Sequence, residues 1–142
     1  MKLTDEQYKQ IADDLLCGMV VIVEKSNGNV DSYPAGIGDH LMFDEENPYQ
    51  DIIDKVENNW QDYIEISPMQ SSESFNIMER FADSLDEGEL KKEAFQALQR
   101  RRPFRNFKDL VEYSDHREKW FEFQLQEHIE YAKRHFVEDV ED

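Results

Sequence analysis

MVVIVEKSNGNVDSYP, residues 19–34, is the stretch that decides the fold. Met19 to Val23 is rich in β-branched residues, whose stiff side chains suit a pleated surface better than a helix. Asn27-Gly28 is a strong hairpin signal, because a two-residue type I′ turn needs positive φ at both centres. Residues 30–33 are expected to return antiparallel, and Pro34 ends the pairing. That register sets Glu24 opposite Asp31, a mildly unfavourable pair that points to an exposed edge or to a different loop.

Upstream, Thr4 followed three residues later by Gln7 predicts a capping box. Tyr8, Ile11, Ala12, Leu15 and Leu16 recur at helical spacing as one apolar face, and Gly18 is the natural stop. Cys17 follows two leucines, so its thiol is expected to be buried. As the single cysteine it excludes an internal disulfide and a multi-cysteine metal site.

Downstream, AGIGDHLMFDEE (35–46) reads as loop. Asn47 is expected to cap a helix with Pro48 at its first position and Gln50 at its third. Ile52, Ile53, Val56 and Trp60 would form its buried side, and DYIEI (62–66) alternates as a third strand with Ile64 and Ile66 inward.

From Ser71 onward everything reads as helix. Phe75, Met78, Phe81, Ala82 and Leu85 line the first of these helices. A second is expected from about Glu87 to Arg101, with Leu90, Ala94, Phe95 and Leu98 inside. Pro103 opens a third with Phe104, Phe107, Leu110 and Val111, and Ser114 caps the last, which turns Trp120, Phe121, Leu125, Ile129, Ala132 and Phe136 inward. The predicted class is α+β: a small antiparallel sheet, hairpin plus third strand, packed with a mainly helical C-terminal half. It is expected as one domain, with helix, hairpin, helix and strand over 1–70, helices over 71–137 and an acidic tail over 138–142.

The chain has 142 residues, 35% of them charged, and a formal net charge of −17. Such a surface repels nucleic acid and acidic membranes at long range. Seventeen aromatic residues argue against disorder. No apolar run is long enough to span a bilayer, and MKLTDEQYKQ carries no signal core, so a cytoplasmic protein is expected.

The charge is segregated. Residues 1–90 carry a net −16, whereas residues 91–120 carry a net +4 centred on QALQRRRPFRNF (96–107). Two readings compete for Arg100, Arg101, Arg102, Arg105 and Lys108. In the first, Arg100–Arg102 occupy the last turn of a helix that begins with Asp86, Glu87 and Glu89. Both ends then complement the helix dipole, at about 0.3–1 kcal/mol per charge, and the arginines pair with the acidic half of the molecule. In the second, the N–H groups of the helix starting at Pro103 and the surrounding cations bind a phosphate-bearing ligand or a few nucleotides of RNA. The first reading carries more weight, because so local a basic segment suits nucleic acid poorly.

Other candidates are weaker. His128 and His135 are seven apart, not the three or four of helical metal ligands. Asp39, His40, Asp44, Glu45 and Glu46 lack the alternating acids and central glycine of a calcium loop. There is no G-x-S-x-G elbow and no phosphate-cradling glycine loop. Trp60 and Trp120 read as core anchors. No catalytic residue, metal or cofactor is expected.

YIEISPMQSSESFNIMERFADSL, PFRNFKDLVEY and REKWFEFQ resemble Uncharacterised Protein Family 0158, small bacterial proteins without an assigned activity. The resemblance covers roughly residues 60–136 well and the N-terminal hairpin in layout. It rests on Met78-Glu79-Arg80-Phe81, Phe104, Phe107-Lys108, Trp120 and Phe123. Family members tend to carry glycine where Arg100 stands here. The resemblance implies a fold class and a bacterial cytosolic setting, and no reaction.

The function the sequence favours is a non-catalytic interaction or regulatory module with a basic protein partner. A phosphate or RNA binder using Arg100–Lys108 is the alternative, and an enzyme of unrecognised type the second. Nothing in the sequence selects a homodimer.

Overall fold

The structure is a computed structural model that describes residues 2–36 and 46–136. The acidic loop with Asp39, His40, Asp44 and Glu45, and the acidic tail, lie outside the described residues. Among those described, six helices and a three-stranded antiparallel sheet form the expected α+β fold. By internal packing the chain divides into two compact units: the chain through Pro68 together with the chain from His128 onward, and Met69–Glu127.

In the first unit, α1 (Asp5–Leu16) begins with the predicted reciprocal cap. The Gln7 N–H donates to Thr4 Oγ1 at 3.1 Å, and the Thr4 N–H donates to Gln7 Oε1 at 2.8 Å. Gln7 Nε2 also donates to the Gly28 carbonyl at 3.1 Å. Ile11, Ala12 and Leu15 form the buried stripe. Cys17 caps the carboxyl end and Gly18, at φ +83°, turns the chain into the sheet. The expected burial of the Cys17 thiol is therefore wrong: both it and Leu16 fall past the stripe and are exposed.

Strand β1 (Met19–Glu24) lies between β2 (Val30–Pro34) and β3 (Tyr63–Ile66). Val21, Val23, Val30, Ile64 and Ile66 share one face and pack with Leu3, Ile11 and Leu15, with Ala132 of the last helix and with Phe136 beyond it. Val21, Val23 and Ile66 are fully buried, each stabilising the fold by roughly 1.5–3 kcal/mol. On the other face Ile22 stands between Asp31 and Glu65, and Val20 beside Tyr33.

The hairpin register differs from expectation. Ile22, not Glu24, is opposite Asp31, and the Glu24 N–H donates to the Asn29 carbonyl at 3.0 Å. The loop therefore has four residues. Gly28 takes a positive φ of 73° but Asn27 does not, and the Gly28 N–H bonds back to the Glu24 carbonyl at 2.8 Å. A two-residue shift keeps every side chain on its predicted face while removing the Glu24–Asp31 clash.

Helix α2 spans Gln50–Asn58, shorter than predicted at both ends. Asn47 bonds through its side chain to the Tyr49 N–H at 2.9 Å, but Pro48 and Tyr49 precede the helix as a turn. Val56 is buried. Trp60 is not: the helix stops at Asn58, and a 3-10 turn over Trp60–Asp62 leaves the indole 68% exposed.

The second unit holds α3 (Ser71–Ser84), α4 (Glu89–Leu98), α5 (Pro103–Glu112) and the beginning of α6 (Arg117–Arg134). Its core is aromatic. Trp120 is 1% exposed and lies 5.1 Å from the Phe81 ring and 5.2 Å from the Phe107 ring, and Phe123 closes on Phe81 at 5.4 Å. Such tilted and edge-on pairs add about 0.5–1.5 kcal/mol beyond area burial. Ile77, Met78, Ala94, Leu98 and Val111 complete it. Phe121, expected inside, is 37% exposed, with the Arg117 guanidinium 5.2 Å above its ring. Ser114 precedes α6 by a turn and caps locally, its hydroxyl accepting from the His116 N–H at 3.1 Å.

Candidate functional site

The basic segment takes a form that neither sequence reading anticipated. Helix α4 ends at Leu98 with Gln99 as its cap, so Arg100, Arg101 and Arg102 are not in its last turn. They form the bend between α4 and α5. Arg102 is the residue before α5 and has φ 55°, ψ 55°, the left-handed region, which costs a non-glycine residue about 1–2 kcal/mol. It is the one non-glycine residue at positive φ among those described. The turn is fastened by Asn106, whose side chain donates to the Arg101 carbonyl at 2.8 Å and whose N–H donates to the Arg102 carbonyl at 3.0 Å.

Arg100, Arg101, Arg102, Arg105 and Lys108 are all exposed. Arg105 stands 3.9 Å from Asp109 on its own helix, a geometry worth little in water. Among the described residues no carboxylate pairs with the other four. Pro103 has no N–H, and no side chain caps the first turn of α5. An uncapped helix start with basic residues next to it in sequence is of the kind that suits an anion.

The histidines fall where packing places them. His128 is buried, and His135 Nδ1 lies 2.9 Å from the Tyr131 carbonyl with the two rings 4.8 Å apart. His116 Nδ1 and Trp120 Nε1 are buried without a hydrogen-bond partner. Among the described residues no group of three or more His, Cys, Asp or Glu side chains gathers as metal ligands would.

The sheet unit presents a second candidate surface that the sequence reading missed. Trp60 stands exposed in a firmly held turn. The Asp62 N–H donates to the Asn59 carbonyl at 2.8 Å and the Lys25 N–H to the Asp62 carbonyl at 2.9 Å, while Asn59 Nδ2 donates to the Lys55 carbonyl at 3.0 Å. Beside it Glu24, Lys25, Ser26 and Asp62 line a shallow concavity. Lys55 Nζ lies 6.0 Å from the Tyr63 ring. Burial pushes the Tyr33 hydroxyl pKa up, and the negative charges of Glu65 and Glu57 push it further. Glu65 and Tyr33 share one face of the sheet by register. The signal for the exposure was Asn58-Asn59, residues that favour a helix end just before the indole.

Among the described residues no helix is long and apolar enough to cross a membrane. The chain matches the model of an Uncharacterised protein family (UPF0158) over residues 15–138. No curated protein and no solved structure matches it.

Proposed function

The chain belongs to this family, whose description assigns no activity, and from that premise we propose a non-catalytic interaction module whose acidic surface binds a basic protein partner. The supporting observation is the charge of the first ninety residues, a net −16, carried on exposed side chains such as Asp5, Asp31, Asp51, Asp54, Glu57 and Glu65. Such a surface attracts a basic one over about one Debye length, about 8 Å at physiological salt. The reading places the protein in the cytoplasm of a bacterium. A pull-down on the immobilised chain should enrich basic proteins that are released by high salt. An empty or salt-indifferent eluate sinks the reading.

A second reading rests on the uncapped start of α5 beside Arg100–Arg102, Arg105 and Lys108: a site for a phosphate-bearing ligand. Labelled RNA and inorganic phosphate titrated at low salt against the wild type and Arg102→Glu test it. Binding lost in the variant with its melting temperature unchanged supports the site, and no binding at micromolar protein removes it.

A further inference from the structure

The acidic surface has one feature that charge alone does not account for. Trp60 exposes 68% of its surface, and backbone hydrogen bonds hold the turn that carries it. Exposed aromatics of this size are enriched where partners anchor, and a Trp ring is the best neutral face for a cation. The surroundings select the occupant. Residues 46–65 carry six acids, Glu46, Asp51, Asp54, Glu57, Asp62 and Glu65, against one base, Lys55, and the concavity beside the turn adds Glu24 and Lys25.

We propose that Trp60 anchors the docking of the basic partner, an arginine or lysine side chain stacking on the indole while Glu57 and Asp62 hold adjoining cations. This rests on the acidic-module reading above and gives it a location. Glu57 and Asp62 flank the indole in sequence, three residues before it and two after, and both are exposed. The Tyr33 ionisation is raised by burial first and then by Glu65 and Glu57, so Glu57 adds to a negative field felt within the sheet unit. A second copy of the chain is a poor occupant, since two molecules of net −17 repel.

The chain has two tryptophans, Trp60 and the buried Trp120, so its nitrogen–proton spectrum has two indole signals. A labelled peptide of alternating arginine and glycine should shift the Trp60 signal and leave that of Trp120 in place. At physiological salt Trp60→Ala should weaken peptide binding about tenfold, and Trp60→Phe by less. If the peptide binds wild type and Trp60→Ala equally and the Trp60 signal stays fixed, the anchor is wrong while the acidic-module reading stands. If the peptide does not bind wild type at any salt, both fall.

Discussion

The two compact units solve the same problem with different side chains. The helical unit is closed by rings, with Phe81 and Phe107 against Trp120 and Phe123 against Phe81. The sheet unit is closed by β-branched aliphatics, Val21, Val23 and Ile66 among them, and leaves its own tryptophan at the surface. Trp60 stays outside because α2 ends at Asn58 before reaching it, whereas Trp120 lies within α6 on the face that meets Phe81 and Phe107. The lesson is that residue type does not assign burial here: one tryptophan is sealed in a core, and the other stands at the surface.

The largest test of that contrast is a pair of truncations. Trp120→Ala should cost about 3–5 kcal/mol in urea unfolding followed by circular dichroism. Trp60→Ala should stay within about 0.5 kcal/mol. Equal losses would erase the distinction between the units.

A smaller effect is expected at the turns. The sheet unit leaves α1 through a glycine at φ +83°, whereas the helical unit enters α5 through Arg102 at φ 55°. Arg102→Gly should therefore raise stability by about 0.5–1 kcal/mol, the relief of strain exceeding the extra chain entropy. A loss would mean that the Arg102 side chain itself supports the turn.

The smallest effect concerns Tyr33 in the sheet. Tyr33 has a folded pKa raised above the ordinary 10.0 by burial first, then by Glu65 and Glu57. Folding thus favours the neutral phenol. Its contribution to stability is full below the unfolded value and disappears as pH rises through the raised folded value. The tyrosinate absorbance assigned by comparison with Tyr33→Phe should appear late in an alkaline titration. Glu65→Gln should bring it earlier without restoring the ordinary value, because burial remains. No movement would place the carboxylate outside the field that Tyr33 feels.

What the sequence made legible was the part governed by near neighbours. The capping box at Thr4 and Gln7, the helical faces through Met78, Phe81, Phe107 and Val111, and the inward Ile64 and Ile66 all follow from local spacing. Two of the errors share one cause, the extension of a period past the point where the helix ends. Val56 and Trp60 are four apart, as on a helix face, yet the chain leaves the helix between them at Asn58. Leu15 and Cys17 straddle the end of α1 in the same way. At Arg100–Arg102 no glycine marks the stop, because the left-handed position is filled by an arginine. The unexpected conformation of the candidate anion site was thus hidden in a residue whose charge, not its backbone, drew attention.

Gln7 has a consequence beyond capping. Its amide oxygen serves the first residues of α1 while its amide nitrogen holds the Gly28 carbonyl in the hairpin loop. One planar group is therefore shared by two segments twenty-one positions apart, and twisting it to suit either deprives the other. Fraying of the leading helix and opening of the loop are therefore expected to be coupled, which amide exchange at both places would show as similar protection.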